Sequence, residues 1–349
     1  MKSYLLYNDF VSVVLDNYTD LNIDEVSKYF YNYIKVSEVG KEAKEEKDKL
    51  VLKYEKDFYD MNNSTLIYSI DNHKLIQDGK SIILSIDNNE DDILFLKRFI
   101  IDYINRIIER NNSFFLHGSS VIDGGQSIIF TGEKMSGKTT NMLQMLDKYN
   151  FSYSSNEKVA IIKNNNSLYS YGCPSNINVR VGTLKYNSNL LTKLSGYINS
   201  LECSSKLDSH DRLDEERIVF SANDIIKAFN TDIKPSGKIK CICNLTFLPE
   251  VDFSIRELTV KEKLIVLKRS LISGIYPTRR DILEEVLPVN ADDRIDCLES
   301  LRCYNICHNN KNNNVKKILD RIKEDVDDNE NDKSSIEKIQ NQRIRNKTI

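Results

Sequence analysis

The sequence predicts a mixed α/β fold in which a phosphate-binding loop is set into a mixed, partly antiparallel sheet. Residues 132–139 read Gly-Glu-Lys-Met-Ser-Gly-Lys-Thr, which matches the phosphate-loop pattern G-x-x-x-x-G-K-T. The loop follows an apolar run, Ile128–Phe130, and precedes helically spaced apolar residues over 141–149. Short turns separate several of the predicted strands, and parallel strands need much longer connections. Strand, glycine loop and helix together predict a nucleotide site, against the alternative of a chance match in a polar turn.

The residue types of this loop are those that phosphate binding requires. Gly132 and Gly137 permit backbone angles that other residues rarely adopt. The loop N–H groups and the helix N-terminus behind them then form a positive nest for phosphate. Lys138 is expected to reach the β- and γ-phosphates, and the Thr139 hydroxyl to hold Mg²⁺. The predicted ATP or GTP site consists of Gly132, Glu133, Lys134, Met135, Ser136, Gly137, Lys138, Thr139 and Thr140.

Composition narrows the class of protein. The 349 residues suffice for more than one domain, and the hydrophobic fraction of 40% supports a sizeable core. A net charge of −3 gives no support for a general nucleic-acid or anionic-membrane surface, so neither is an expected partner. The sequence shows no apolar run of transmembrane length and no signal peptide. Seven cysteines, an odd number, favour reduced thiols and a cytoplasmic location.

Residues 1–90 are predicted to form a small α+β N-terminal domain. Its predicted elements are a strand at Val11–Leu15, a helix at Asp24–Ile34 capped by Asn22 or Asp24, and strands at Ser64–Ile70 and Ser81–Ile86. A polar turn containing His73 and Asp78-Gly79 is expected between the last two. The mixed-charge run over 41–49 is interpreted as a solvated helix face or loop, with a docking face as the alternative.

The nucleotide-binding domain is predicted to span residues 91–308, followed by a charged, flexible tail over 309–349. Its predicted elements are helices at Asp91–Arg110 and Ser221–Phe229 and strands at Ser113–Ile122, Gln126–Thr131, Tyr153–Ile162, Leu168–Tyr171 and Lys238–Leu248. The polar segment 186–215 predicts a mobile loop or lid. The tail over 309–349 has the alternative of an exposed helix.

Two groups of cysteines are candidate metal ligands. Cys241 and Cys243 lie two apart, on one face of a predicted strand, where buried structural thiols are the favoured interpretation over a metal pair. Cys297, Cys303, Cys307 and His308 could converge on a metal ion. However, Cys297, Leu301 and Tyr304 fit the apolar side of one helix, which is the favoured interpretation.

The order of motifs around the loop resembles the HPr kinase/phosphorylase family, and more closely its small stand-alone relatives that phosphorylate serine in peptides or as a free amino acid. The motifs are Leu116-His-Gly-Ser-Ser-Val121, the phosphate loop, Asn156-Glu157, Gly172-Cys-Pro174 and Val179-Arg-Val-Gly-Thr-Leu184. The resemblance covers about residues 90 to 290. It implies a phosphoenolpyruvate-carboxykinase-like nucleotide-binding core, and relatives of this family commonly form homo-oligomers.

The resemblance implies an ATP-dependent kinase that phosphorylates a serine-type hydroxyl of a peptide, protein or small molecule. His117 then lies at the catalytic centre with Lys138, and Arg180 stabilises the charge of the transferring phosphoryl group. The family's paired acidic motif reads Asn156-Glu157 here, which leaves Glu157 as the base. Asn178 stands where the family has a metal-binding glutamate. The implied Mg²⁺ ligands are therefore Thr139, Asn178 and Glu157.

Each of these residues also admits a structural role, and the altered acidic pair admits another function. Glu157 could pair with Lys158 or a neighbouring strand, His117 could be a core histidine, and Arg180 could belong to a buried ion pair. The second functional hypothesis is a nucleotide-binding sensing or assembly module without transfer. A phosphorylase that runs the reverse reaction is a third and less favoured hypothesis.

Overall fold

The structure, a computed structural model, is a mixed α/β fold built on two large mixed sheets and a small two-stranded sheet. It describes residues 2–18, 22–30, 33–38, 48–54, 67–70, 73–78, 81–86, 90–111, 113–165, 167–173, 175–198, 216–275, 283, 300–309 and 314–324. The predicted class, with a mixed and partly antiparallel sheet, is confirmed. The predicted boundaries of the two domains and the tail stay predictions.

The first sheet is formed by the N-terminal part of the chain. Its strands are β1 (Lys2–Tyr7), β2 (Ser12–Asn17), β3 (Lys35–Glu38), β4 (Asp48–Tyr54), β5 (Ile67–Ile70), β6 (His73–Asp78) and β7 (Ser81–Ile86). They lie in the order β3-β1-β2-β4-β7-β6-β5, with β2, β4 and β7 parallel. Helix α1 (Ile23–Tyr29) begins at Asn22, whose Oδ1 accepts a hydrogen bond from the Asp24 amide at 3.1 Å.

Two predictions for this region were wrong in part. The first helix ends at Tyr29 instead of continuing to Ile34, because the chain turns at Phe30 and pairs with β1 as β3. Residues 73–78, which include His73, form strand β6 where a turn was predicted. The charged run over 41–47 lies outside the described residues.

Helix α2 (Glu90–Arg110) lies between the two sheets in the sequence, and its buried side chains pack against both sheets. From Phe99 to Glu109 every side chain is buried, so the helix has no solvent-facing stripe in this stretch. Phe99 and Tyr103 share one hydrophobic cluster with Leu15 of the first sheet and Phe115 of the second. This shared cluster fixes the N-terminal sheet against the sheet that carries the phosphate loop.

The second sheet carries the phosphate loop. Its strands are β8 (Phe114–Asp123), β9 (Gln126–Gly132), β10 (Ser152–Asn164), β11 (Ser167–Gly172), β14 (Ser236–Phe247), β15 (Ser254–Glu257), β16 (Leu271–Ile272) and β17 (Cys303–His308). They lie in the order β11-β10-β8-β9-β14-β17-β15, β16 pairs with β8, and β11 also pairs with β14. The predicted β8–β9 and β10–β11 hairpins are antiparallel, whereas β9, β14 and β17 are parallel.

Helices and a two-stranded sheet cover one face of the second sheet. The helices on this face are α3 (Lys138–Tyr149), α4 (Val181–Lys185), α5 (Ser188–Leu194), α6 (Ala222–Phe229) and α8 (residues 314–324). Helix α7 (Val260–Ser270) packs on the opposite face, where Leu267 shares a third hydrophobic cluster with Ile129. The small sheet pairs β12 (Ile177–Arg180) with β13 (Arg217–Phe220). Their apolar side chains join those of α3, β14 and β17 in a second hydrophobic cluster.

Three further predictions need correction. Residues 188–197 form α5 and a 3₁₀ turn instead of a loop, and residues 199–215 lie outside the described residues. In the predicted tail, residues 314–324 are helical, and Val315, Ile318 and Ile322 are buried in the second cluster. Cys303–His308 is a strand parallel to β14, not part of a helix.

The candidate metal ligands and the membrane expectation can be compared with the structure over the described residues. Cys241, Cys243 and Cys303 are buried free thiols, Cys307 is a half-buried one, and Cys297 is not described. Across the described ranges, no group of three or more His, Cys, Asp or Glu side chains could hold a metal ion. In the same ranges no helix has both the length and the apolar character needed to cross a membrane.

Candidate active site

A cavity of about 720 Å³ lies where the phosphate loop meets the ends of several strands. One wall consists of the loop and the start of α3. The other carries side chains from β8, β10, β12 and β13, which reach the cavity from distant parts of the sequence. The site residues predicted for this cavity and found in its lining are His117, Lys134, Met135, Ser136, Gly137, Lys138, Thr139, Thr140, Glu157, Asn178 and Arg180.

The loop backbone has the conformation that its glycines make accessible. Gly132 has φ +131° and Gly137 has φ +91°, both in the left-handed region that favours glycine. A Cβ at Gly132 would lie 2.3 Å from the Leu245 carbonyl oxygen, and one at Gly137 would lie 2.8 Å from a carbon of the His308 ring. The loop therefore excludes larger residues at both positions, by backbone angle and by contact.

Helix α3 begins at the cavity with its first turn uncapped by any side chain. Gly137 is its N-cap residue, and the first turn contains no acidic side chain. The first N–H groups of a helix have no partner within the helix, and they carry the positive end of its dipole. This end of α3 therefore presents to the cavity the donors and the charge that bind an anion.

Lys138 lies across the loop rather than in solvent. Its ammonium donates hydrogen bonds of 2.8 Å to the carbonyl oxygens of Gly132 and Glu133. The pKa of Lys138 is lowered to about 8, mainly by burial and in part by the nearby charge of Arg180, against the opposing effect of the Glu157 charge. The lysine is thus held at the site, in an environment that favours an incoming negative charge.

The other loop residues differ in exposure. Glu133, Lys134 and Met135 are exposed, and Met135 has φ +71°. Ser136 is buried, and its carbonyl oxygen lies 2.7 Å from Nε2 of buried His308. His308, which the sequence offered as a metal ligand, instead reaches from β17 to the backbone of the phosphate loop.

The Asn156-Glu157 pair lies on β10, opposite the segment of β8 that contains His117. Glu157 pairs with Gly118, and the ladder between β8 and β10 shifts register between Tyr153 and Ser155. Glu157 has φ +77°, an unusual angle for a residue with a side chain, and such angles cost about 1–3 kcal/mol. Strain of this kind concentrates at functional sites, and here it belongs to the residue predicted as the base.

Side-chain contacts connect this pair to both walls of the cavity. The Thr139 hydroxyl donates to Asn156 Oδ1 at 3.0 Å, and Asn178 Nδ2 donates to Glu157 Oε1 at 3.5 Å. Lys158, which was the alternative partner predicted for Glu157, donates a hydrogen bond to the Gly274 carbonyl oxygen at 2.9 Å. The carboxylate of Glu157 therefore faces Asn178 and the cavity.

His117 is half-buried beside these residues. Its Nδ1 lies 3.2 Å from the Glu157 carbonyl oxygen. Burial lowers the pKa of His117, and the charge of Lys138 lowers it further, although Glu157 raises it. The histidine therefore favours the neutral form, and it lines the cavity rather than the apolar core.

Oxygen atoms suited to a Mg²⁺ ion line the same cavity as the Thr139 hydroxyl. They belong to Thr139, to the amides of Asn156 and Asn178, and to the Glu157 carboxylate, and Mg²⁺ prefers such hard oxygen ligands. Asn156 is 2% exposed, and its Nδ2 has no hydrogen-bond partner in the structure. With one carboxylate in this set, a bound ion would take much of its negative charge from nucleotide phosphates.

Several lining residues were not predicted. Arg217, Tyr186 and Asn187 extend the wall formed by β12 and α4, Phe247 is the last residue of β14, and Asn309 follows β17. Tyr186 is 82% exposed, and Phe247 packs against the His308 ring with centroids 5.9 Å apart. None of these residues belongs to a local motif. For Arg217, the alternation with its apolar and buried neighbour Ile218 is the sequence signal that its side chain faces away from the core.

Comparisons with known proteins found a distant structural similarity and no family. No family model matches this chain, and no curated protein matches it. Among solved structures, the chain is similar to the Hpr(Ser) kinase/phosphatase from Coxiella burnetii, with 12% sequence identity and a TM-score of 0.32. That match covers 63% of this chain and 94% of the other. A similarity at this TM-score carries no argument about fold or activity.

Proposed function

We propose that the protein is an ATP-dependent kinase that transfers the γ-phosphate to a serine-type hydroxyl of a peptide, protein or small molecule. One observation carries the proposal: Lys138 of the phosphate loop and the carboxylate of Glu157 line the same cavity. The first residue type binds phosphate, and the second can position and deprotonate a hydroxyl. The motif order that resembles the HPr kinase/phosphorylase family supports the same reaction.

The chemistry is an in-line phosphoryl transfer. The acceptor oxygen forms a bond to the γ-phosphorus, the bond from that phosphorus to the β–γ bridging oxygen breaks, and ADP leaves. The hydroxyl proton passes to the Glu157 carboxylate. Lys138 and Arg180 neutralise charge on the phosphates, and a Mg²⁺ ion bound through Thr139, Asn178 and Glu157 would add to that neutralisation. Neutral His117 would position the acceptor through its ring nitrogens.

The test is transfer of label from γ-labelled ATP with Mg²⁺ in host extract separated into small-molecule and peptide/protein fractions. Wild type and Glu157→Gln are compared, because glutamine keeps the size of the side chain and cannot accept the proton. We expect label in one fraction with wild type and at least about a hundredfold less with the variant. Both proteins should bind Mg²⁺-ATP within about threefold of each other, since the loop makes the phosphate contacts and glutamine keeps an oxygen that can ligate Mg²⁺. Equal transfer by the variant would place the base at another residue.

A second candidate function is a nucleotide-binding sensing or assembly module without transfer. The observation that favours it is Asn156, a neutral amide that accepts the Thr139 hydroxyl at 3.0 Å where the family has a carboxylate. If wild type binds nucleotide and transfers no label to any fraction, this second function replaces the kinase. Asn156→Asp then provides a direct follow-up, since gain of transfer would identify the lost carboxylate as the cause.

A further inference from the structure

The small β12–β13 sheet places two arginines opposite each other at the cavity. Arg180, the last residue of β12, pairs with Arg217, the first residue of β13. Val179 and Ile218, their neighbours in the ladder, are both buried in the second hydrophobic cluster. Because side chains alternate between faces along a strand, Arg180 and Arg217 share the opposite face. Both line the cavity.

Two like charges in this arrangement repel each other. Directly opposed residues of an antiparallel pair have Cβ atoms about 5 Å apart, and like charges at such positions destabilise the sheet. Among the described residues, the cavity lining is already cationic, with Lys134, Lys138, Arg180 and Arg217 against the carboxylate of Glu157. An anion bound between the two guanidinium groups would reverse this repulsion, because each group can donate two parallel hydrogen bonds to a carboxylate or phosphate.

The pair lies beside the predicted base and extends outward from it. Asn178, two residues before Arg180 on the same strand face, contacts the Glu157 carboxylate at 3.5 Å. The charge of Arg180 also acts on Lys138. Arg180 is half-buried and Arg217 is exposed, so the two cations lead from the inner cavity toward its mouth. A molecule that brings its hydroxyl to Glu157 would therefore pass Arg217.

We propose that Arg217, together with Arg180, forms an anion-binding subsite that recognises a carboxylate or phosphate group carried by the acceptor. The subsite rests on the proposed kinase function, and it adds the chemical class of the acceptor: a hydroxyl compound with a negative charge close to the reacting oxygen. A free amino acid, an acidic peptide segment and a phosphorylated small molecule all share this chemistry. A neutral or cationic hydroxyl compound lacks it.

Binding to the full-length protein, saturated with Mg²⁺ and a non-hydrolysable ATP analogue, tests this subsite. The probes are acetate and inorganic phosphate as bare anions, L-serine and O-phosphoserine as hydroxyl or phosphate compounds with an acidic group, and L-serinamide as the matching compound without one. We expect Arg217→Gln to weaken at least one bare anion and its matching serine compound about tenfold or more, because a charge-assisted hydrogen-bond pair is lost. The carboxylate and phosphate arms identify which anion the subsite prefers.

Controls separate the subsite from general charge effects. Arg98→Gln removes an exposed arginine on α2 that does not line the cavity, and should leave all probe affinities within about twofold. Arg217→Gln should also leave the affinity for the ATP analogue within about twofold. The proposal is overturned if wild type binds none of the anionic probes, if it binds serinamide as tightly as serine and phosphoserine, or if Arg217→Gln weakens the analogue as much as the probes.

Failure of the kinase proposal gives a different pattern. If the analogue does not bind, inorganic phosphate and acetate are titrated without nucleotide into Lys138→Ala and into the Lys138→Ala, Arg217→Gln double variant. Loss of anion binding only in the double variant would support the subsite while the kinase function fails. Equal binding by the two variants, or binding by neither, would overturn the subsite.

Discussion

The two walls of the cavity are built in different ways. The loop wall is formed by one continuous stretch, Gly132–Thr140, and acts through backbone: glycine angles, an uncapped helix N-terminus and carbonyl oxygens that hold Lys138. The opposite wall is formed by side chains from four strands, among them His117, Glu157 and Arg217. Local sequence fixes the first wall, whereas tertiary pairing assembles the second.

This difference teaches where tolerance to substitution should lie. On the loop wall, the side chains of Glu133 and Met135 are exposed, so the conformation matters more than most of the residue types. On the opposite wall the functional group is the side chain itself, and the backbone even carries strain at Glu157 to present it. Substitutions on the loop wall should therefore change nucleotide binding, and those on the strand wall should change transfer and acceptor choice.

The largest effect expected on the loop wall is that of Lys138→Ala. Removal of the ammonium leaves the β- and γ-phosphates without their half-buried cationic partner, at a cost of about 3 kcal/mol, or roughly a hundredfold in nucleotide affinity. The measurement is the dissociation constant of Mg²⁺-ATP, together with the shift in melting temperature that the nucleotide causes.

Lys134→Ala is the matched control for this prediction. Lys134 lies on the same loop and lines the same cavity, yet its side chain is exposed, so solvent screens its charge. We expect its loss to weaken nucleotide binding by no more than about threefold. Equal losses from the two lysines would mean that the cavity binds nucleotide through net charge rather than through the loop geometry.

The contrast between the walls also explains what sequence could predict. The loop and the helix that follows Gly137 depend on residues adjacent in the chain, and the structure contains both. Glu157 and Arg180 were located through a family resemblance and not by local chemistry. Arg217 was missed, because its place at the cavity depends on pairing with Arg180, 37 residues earlier, across a polar segment.

The mispredicted elements have physical causes of the same kind. Strand β17 lies inside the sheet between parallel β14 and antiparallel β15, and most of its side chains are buried. Its alternating pattern is therefore weak, and the apolar spacing of Leu301 and Tyr304 resembled a helix. Helices α5 and α8 were missed for a different reason. Their apolar residues have helical spacing, but the polar composition of both segments favoured the prediction of a loop and a flexible tail. Leu190 and Leu194 lie four apart in α5, and the buried residues of α8 follow helical spacing from Val315 to Ile322.

An intermediate effect is expected from Gly137→Ala. Alanine at φ +91° is strained by about 1–2 kcal/mol, and its Cβ would lie 2.8 Å from the His308 ring. We expect the free energy of unfolding to fall by about 1–3 kcal/mol and nucleotide affinity to fall about tenfold, because the loop must shift. Denaturant unfolding and nucleotide titration measure the two losses.

Two other glycines separate the causes of this loss. Gly124 has φ +53° with open space where a Cβ would lie, and Gly196 also has open space but no left-handed angle. Gly124→Ala should therefore show the angle cost alone, and Gly196→Ala should change the free energy of unfolding by less than about 0.5 kcal/mol. A Gly137→Ala variant as benign as Gly196→Ala would contradict the proposed backbone control of the loop wall.

The smallest effect is a pH dependence of nucleotide binding that comes from Lys138. Burial lowers the pKa of this ammonium to about 8, so above that pH the free protein increasingly holds a neutral lysine. Phosphate favours the protonated form, and binding must then take up a proton. Affinity for Mg²⁺-ATP should thus be nearly constant below pH 7 and fall with rising pH, to about a tenfold loss by pH 9.

The same shift has the opposite sign for the stability of the free protein. Between about pH 8 and the ordinary lysine value of 10.5, the unfolded chain binds more protons at this site than the folded chain, so the contribution of Lys138 to the free energy of unfolding rises with pH. Lys138→Arg is the matched variant, because arginine stays protonated throughout. Its nucleotide affinity should be lower overall and lack the decline above pH 8. An equal decline in both proteins would assign the pH dependence to a group other than Lys138.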